Sequence, residues 1–458
     1  MAEMKLPRFM ISAPGSGTGK TTLVCGLLKA LMNKGLSVAA FKSGPDYIDP
    51  MFHSRVIGAK SRNLDLFMLG KETARMLAAK NSRQADVAVF EGAMGFYDGM
   101  GTTTEASAYE LACTCDVPVV LVVNGKGAAL SIAAMIKGFK DFRRDSHIVG
   151  AILNNVNPMS YMFYKSVIEQ EAGVKLLGYF PVMQDCNFES RHLGLVTAEE
   201  IGDLQQIVDR LAQQVAKSID LDALLELAKQ AAPLEYTPVS LEPVGKARVA
   251  VAQDKAFCFY YQDALDLLCE LGAELVPFSP VNDAHLPPAC SGIILGGGYP
   301  ELYAQQLADN ITMLQDVKAA IDGGMPCFAE CGGFMYLLER YRDGEKTYAW
   351  VGAVAGETAM TKKLTRFGYV HLTAQENNVL CAAGGKINGH EFHYSDSTNN
   401  GHSFTAAKAS GRGCWECAVA NATMYAGYPH IHLWGNIEFA RSFMQHCYEY
   451  AAQNTKKQ

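Results

Sequence analysis

The run Ser12-Ala13-Pro14-Gly15-Ser16-Gly17-Thr18-Gly19-Lys20-Thr21-Thr22 has the composition of a loop that wraps phosphate. Glycines reach backbone conformations closed to other residues and leave their N–H groups uncovered, so Gly15, Ser16, Gly17, Thr18 and Gly19 can line a chain of phosphate oxygens. Lys20 would then reach the outer phosphates, and the Thr21 hydroxyl would hold Mg²⁺, with Thr22 continuing the helix that opens there. One position departs from the usual G-x-x-x-x-G-K-T pattern, since Pro14 stands where the first glycine falls. A glycine-rich turn that merely joined strand to helix would not need Lys20-Thr21-Thr22.

Two acidic stretches follow apolar runs, where P-loop enzymes place their carboxylates at the ends of sheet strands. The first is Lys42-Ser43-Gly44-Pro45-Asp46-Tyr47-Ile48-Asp49-Pro50; the second is Glu91-Gly92-Ala93-Met94-Gly95-Phe96-Tyr97-Asp98-Gly99. Asp46 and Glu91 suit a Mg²⁺ shell with Thr21, because Mg²⁺ takes a few hard oxygen ligands and keeps water. Asp49 and Asp98 are expected to orient substrate, and Lys42 to steady a transferring phosphoryl group. The competing reading makes these acids caps of helices and turns. Asn154, followed by Asn155, offers an amide whose donor and acceptor could read an adenine edge; a plain turn is the alternative.

A second centre lies far along the chain, in Phe328-Ala329-Glu330-Cys331-Gly332-Gly333-Phe334. A cysteine on a tight strand-to-helix turn is lifted out of the sheet, and neighbouring glycines free N–H groups for an oxyanion hole. Leu295-Gly296-Gly297-Gly298-Tyr299-Pro300-Glu301 is a further glycine loop able to add a donor. Cys331 needs a base, and Tyr428-Pro429-His430-Ile431-His432 supplies His430, with His432 as the orienting or binding group. His390 and His393 are the alternatives, expected to face substrate or to be structural. The remaining twelve of the thirteen cysteines set a bland background of small buried residues, against which the glycine pair and the histidines single out Cys331.

These groups need scaffolds. Short β-branched runs alternate with helical stretches: strands are expected at 8–13, 38–41, 87–90, 117–123 and 148–153, with a helix from Thr21 and one long helical segment over 198–231. Fully apolar strands suit a parallel sheet covered on both faces. The expected fold is α/β: an N-terminal P-loop NTPase parallel sheet and a C-terminal α/β domain. The proline-rich stretch 233–246 reads as a linker between a domain of residues 1–232 and another of 247–458. In the second, strands at 248–252, 274–278, 292–295 and 326–329 surround a helix from about Tyr261.

The chain has 458 residues, 49% hydrophobic and 19% charged, with a net charge of −7, so more than one core is expected. Lys/Arg runs that would suit nucleic acid or an anionic membrane are lacking, as are a signal-peptide core and a span of about 18 apolar residues. The scattered cysteines suit a reduced, cytoplasmic protein. Cys414-x-x-Cys417 has no second pair at zinc spacing and reads as structural, like Cys113-x-Cys115.

The P-loop, Gly44 to Pro50, Glu91 to Gly95, Arg191-His192-Leu193-Gly194-Leu195, Asp254-Lys255-Ala256-Phe257, Gly296 to Glu301, Glu330 to Gly333 and Tyr428 to His432, taken in this order, resemble the cobyrinate a,c-diamide synthases. The resemblance spans nearly the whole chain: its N-terminal half is similar to dethiobiotin synthetase, and its C-terminal half resembles class I glutamine amidotransferases. It implies glutamine hydrolysis at Cys331 with His430 as base, and MgATP-driven phosphorylation of carboxylates on a tetrapyrrole-derived macrocycle. Amidation of the a and c acetates by the released ammonia would follow, with Tyr47, Ile48 and Asp49 in the stretch linked to substrate recognition. Class I amidotransferases usually carry His-x-Glu; here that acid is replaced by His432, as is typical of this family, and what orients His430 stays open. The implied partners are the macrocycle (cobyrinate), ATP and L-glutamine, with no nucleic acid or membrane; a homodimer also stays open. A relative acting on nickel-sirohydrochlorin carries nearly the same motifs. A P-loop switch ATPase remains the reading from another class, although the polar C-terminal 451–458 offers no membrane-binding tail.

Overall fold

The computed structural model describes residues 1–183, 186 and 198–455, the side chains of 198–202 and 455 excepted. The stretch 191–195 cited for the resemblance lies outside the described residues. The chain divides into two units, Met1–Val239 and Ser240–Gln458.

The first unit is built on a parallel sheet of β1 (Arg8–Ser12), β2 (Val38–Ser43), β3 (Lys60–Leu64), β4 (Val87–Glu91), β5 (Val119–Asn124), β6 (Ile148–Asn154) and β7 (Lys175–Phe180). Their order is β3-β2-β4-β1-β5-β6-β7, and each neighbouring pair runs parallel. The central strands β1, β2 and β4 are buried at every position, as sheets covered on both faces require. The edge strands β3 and β7 were not expected from the sequence. Each opens on an exposed lysine, and β3 is polar at four of its positions (Lys60, Ser61, Arg62, Asn63); edges need no continuous apolar run. Chain order reverses about β1, so a crevice opens at the carboxyl ends of β1, β4 and β5, where α/β sheets take ligands.

Helix α1 (Lys20–Asn33) packs on the helix Ala198–Ser218. A side chain at Gly26 would meet Leu211 and Val215 at 3.0–3.1 Å, so the two helices touch through bare backbone. The single helix expected over 198–231 is two: Ala198–Ser218 and Leu221–Lys229. Asp220 divides them, its carboxylate accepting the Ala223 N–H at 2.9 Å as an N-cap.

The expected linker 233–246 is corrected at its start. Leu234–Tyr236 is a strand, paired antiparallel with Ala2–Met4, and belongs to the first unit. Nearby, the fully buried Arg8 guanidinium donates to the carbonyls of Leu6 (3.0 Å), Cys115 (2.9 Å), Asp116 (3.2 Å) and Ala232 (2.7 Å). It ties the first strand to the end of the unit.

The second unit contains β8 (Ala247–Ala252), β9 (Ala273–Phe278), β10 (Gly292–Leu295), β11 (Cys327–Glu330), β12 (Val419–Ala420) and β13 (Met424–Gly427) in the order β9-β8-β10-β11-β13-β12. All neighbours are parallel except the edge pair β12–β13. Between β11 and β12 the chain forms a β-rich layer that the sequence reading did not anticipate. It includes a sheet of Cys414–Cys417, Phe404–Lys408, Arg366–Ala374 and Lys386–His393, completed by His430–Ile431 from beyond β13. Its strands have one wet face and mix polar with apolar residues, so they lack the runs that mark a buried strand. Cys414 is exposed and Cys417 buried at the two ends of one strand.

Arg8→Ala would strand several carbonyls in a dry core. The expected cost is about 2 kcal/mol or more, read as a lowered midpoint of urea unfolding; a midpoint equal to wild type would show that those carbonyls find other donors.

Candidate functional site

The phosphate loop connects β1 to α1. Gly17 and Gly19 sit at φ 73° and 82°, in the left-handed region that favours glycine. A side chain at Gly19 would also strike Asn154 Nδ2 at 2.4 Å, whereas nothing of the protein lies within 4 Å of the positions a side chain would take at Gly15 and Gly17. The loop is thus braced beneath and open above. The brace is Asn154, at the end of β6, whose amide donates to Thr18 O at 2.7 Å. The amide expected to read a base is engaged with the loop itself. Thr18 Oγ1 donates to Gly15 O at 3.1 Å, Ser16 is exposed, and Thr22 is half-buried in the first turn of α1. Lys20 folds back over the loop and donates to Gly15 O at 3.1 Å and Met94 O at 2.5 Å. Burial, then the neighbouring Lys42 charge, lowers its pKa to about 8.

Carboxylates gather at the ends of β2 and β4. The Thr21 hydroxyl donates to Glu91 Oε1 at 2.9 Å and lies 3.4 Å from Asp49 Oδ2. Lys42 is buried among them, hydrogen-bonded to Asp49, 2.8 Å from Glu91 Oε1 and 3.9 Å from Asp46 Oδ2. Burial alone would lower its pKa, but Glu91 and Asp49 outweigh burial and raise it. Lys42 was expected to face a phosphoryl group; the structure makes it the counter-charge of the acids. Asp49, expected to orient substrate, is buried within this cluster. Asp46 accepts the N–H groups of Ile48 (2.9 Å) and Asp49 (3.4 Å), and burial, then Asp49, raises its pKa to about 6. Tyr47 is buried, and half-buried Ile48 packs against the core of the unit. Asp98 accepts the Gly95 N–H at 3.1 Å and closes its own turn. His53 was missed by the sequence reading, since an isolated histidine carries no spacing signal. Its Nε2 lies 3.6 Å from Glu91 Oε2, and burial lowers its pKa to about 4.

The oxygen donors fit Mg²⁺ by their chemistry. The Thr21 hydroxyl lies against Glu91 and Asp49, while of these groups Asp46 reaches only the Lys42 ammonium, and among the described residues no three acids stand together as a ready-made metal site; the buried Glu91 Oε2 has no hydrogen bond, which leaves it an acceptor to spare.

In the second unit β11 ends at Glu330 and α2 (Gly332–Leu337) begins directly, leaving Cys331 on the corner at φ 47°, ψ −104°. A non-glycine residue held there is strained, and the packing shows why it persists. A side chain at Gly332 would lie 2.9 Å from Pro300 Cδ and 3.2 Å from Gly298 N; one at Gly333 would lie 2.1 Å from Leu295 O. The turn is therefore clamped against the 296–301 loop. Cys331 N donates to Gly427 O at 2.7 Å and so belongs to the sheet.

The His430 imidazole lies beside Cys331, close enough to feel its sulfur. It sits on the strand His430–Ile431, opposite His390. Burial would lower its pKa, but its interactions with Cys331 and Glu330 prevail and push it up to about 10. A side chain at Gly297 would lie 2.6 Å from His430 Cε1. The His390 ring stacks on His430 at 5.0 Å, and its Nε2 is 2.8 Å from the Tyr261 hydroxyl. His432 does not take the orienting place expected of it. Its Nδ1 accepts the Trp434 N–H at 3.3 Å, and its ring stacks on Tyr261 at 4.8 Å. Burial lowers its pKa to about 3. His393 stacks on Tyr428 at 4.0 Å. The residue that does lie beside His430 is Glu330, whose only sequence signal was adjacency to Cys331: its Oε2 is 3.8 Å from Nδ1.

The fold and the two centres define a protein joining a P-loop nucleotide-binding unit to a glutamine-amidotransferase-type unit. Residues 9–195 match the CobQ/CobB/MinD/ParA nucleotide binding domain, and residues 248–437 match the CobB/CobQ-like glutamine amidotransferase domain. Among curated relatives, the cobyrinate a,c-diamide synthase of Caldanaerobacter subterraneus subsp. tengcongensis is 40% identical, over 96% of this chain and 98% of its own. That of Clostridium tetani is 39% identical over 95% and 99%, and that of Thermoplasma volcanium 40% over 98% and 99%. The chain belongs to the cobyrinate a,c-diamide synthase family.

Gly297→Ala should push the His430 imidazole off Cys331. With the imidazole displaced, alkylation of Cys331 by iodoacetamide should slow about tenfold, followed by peptide mass mapping. An unchanged rate would mean that the methyl group is accommodated elsewhere.

Proposed function

We propose that the chain is an ATP- and glutamine-dependent amidating ligase that converts the a- and c-acetate carboxylates of cobyrinate to amides. The observation that carries this reading is the Cys331–His430 pair, set on a strained corner, in a chain that also holds a P-loop with converging carboxylates.

Cys331, as thiolate, attacks the side-chain amide carbon of glutamine. The C–N bond breaks as His430 passes its proton to the departing ammonia, leaving a γ-glutamyl thioester. Water, losing a proton to His430, then cleaves the C–S bond and releases glutamate. The glutamyl oxyanion would be met by backbone N–H groups of the turn at Gly332 and of the glycine loop.

In the first unit the N–H groups of residues 15–19 and Lys20 would hold the phosphates of ATP. A substrate carboxylate oxygen attacks the γ-phosphorus, the bond to the ADP oxygen breaks, and an acyl phosphate forms. Ammonia adds at the acyl carbon, loses a proton and expels phosphate, leaving the amide. Mg²⁺ would be held by Thr21, Asp46 and Glu91, joined by Asp49, and would neutralise the charge developing on the phosphates. Lys42 packs Asp49 and Glu91 together through direct contacts. Tyr47 and Ile48 begin the short helix Ile48–Phe52 that carries Asp49, and are proposed to meet the macrocycle.

No helix among the described residues is long and apolar enough to cross a membrane. The cysteines are free, and we place the protein in the cytoplasm, with a homodimer to be checked by light scattering.

Supplied with MgATP and a cobalt-bearing cobyrinate, the protein should form two amides with glutamine as donor. Cys331→Ser should lose glutamine-supported amidation by at least about a thousandfold while still using free ammonia. Glutamine-supported turnover by Cys331→Ser would sink the assignment. Amidation of a nickel-bearing sirohydrochlorin in place of cobyrinate, counted by mass spectrometry, would move the substrate to that relative's.

A further inference from the structure

The pair Cys331–His430 needs something to hold the imidazole and to make its charged form the stable one. The position two residues after His430 is His432, whose ring is occupied with Trp434 N and Tyr261. We propose that Glu330, the residue immediately before the nucleophile, is the positioning carboxylate for His430; this rests on the glutamine hydrolysis proposed above.

The geometry follows from the sheet. β11 and β13 are parallel neighbours with Glu330 opposite Gly427, so the chain leaving β13 turns back beside Glu330 before reaching His430. The carboxylate is buried and pinned there, because Oε1 accepts the Ile431 N–H at 2.8 Å. That bond aims Oε2 at the imidazole, 3.8 Å from Nδ1, within ion-pair reach. The other groups against His430 add no competing charge. Its ring packs on His390, which burial keeps neutral; the 296–301 loop presents the bare Gly297; and Cys331 is the nucleophile itself. Tyr260 and Tyr425, which feel the charge of Glu330, are phenols that burial holds protonated. Glu330 thus sets a carboxylate beside the ring from the same corner that carries the sulfur. It stabilises the imidazolium, which keeps a proton ready for the leaving ammonia. The raised pKa of His430, to which Glu330 contributes, agrees with this.

A structural role alone, as acceptor for Ile431 N–H, makes a different prediction, and Glu330→Gln separates the two. Glutamine keeps an oxygen for that N–H and removes the charge. The His430 proton is lost as pH rises through its pKa, so removing the carboxylate should move the alkaline limb of the kcat profile for glutamine hydrolysis down by at least about one pH unit. At pH 8, kcat should fall about tenfold or more with KM for glutamine within about threefold. Glu330→Asp, which keeps the charge, should return the limb toward wild type, with circular dichroism confirming that each variant is folded. An alkaline limb unmoved in a folded Glu330→Gln would overturn the inference, whatever the change in kcat. Wild-type protein unable to hydrolyse glutamine at all would instead overturn the proposed function.

Discussion

Both centres depend on one constraint: backbone must approach other atoms at the carboxyl ends of parallel strands more closely than any side chain allows. At the phosphate loop, Gly19 leaves room for the Asn154 amide that braces the loop. At the cysteine corner, Gly332 and Gly333 let the turn press on the 296–301 loop, and Gly297 leaves room for His430. Strain at Cys331 is held by this clamping and by the hydrogen bond from Cys331 N to Gly427 O. The sheets supply the rigidity that makes such contacts repeatable.

The second common element is the way buried charge is matched. Isolated ions are costly in a dry interior, so each centre pairs opposite signs within a few ångströms. In the first unit Lys42 sits among Asp49, Glu91 and Asp46. In the second, the His430 imidazolium lies between the Cys331 sulfur and Glu330. Burial lowers the pKa values of His53, His390 and His432, at His53 against the pull of Asp49. Histidines packed around a centre need not share its chemistry, and this is why His432 and His430, two residues apart, have different roles.

Legibility in the sequence followed the same physics. Strands buried on both faces, such as Val87–Glu91 and Ile148–Asn154, write themselves as apolar runs and were readable. The polar edge strand Lys60–Leu64 and the one-faced sheet around Arg366–Ala374 were not. Glycine-flanked Lys20 and Cys331 stood out because their neighbours have few other uses. Lys42, Asp49, Asn154 and His432 have residue types that suit several roles, and some of their partners lie far along the chain, such as Glu91 for Lys42, Thr18 for Asn154 and Tyr261 for His432.

By itself the sequence determined two chemistries, a phosphate-wrapping loop and a cysteine corner, because each is encoded in a short contiguous run whose backbone requirements only glycine meets. Only the tertiary structure decided which side chains serve them. The counter-charge for Asp49 and Glu91, the brace under Thr18 and the carboxylate beside His430 are set by which strand ends lie side by side. That adjacency comes from sheet order, which joins Glu330 to His430 across a hundred residues and leaves no local trace in either segment.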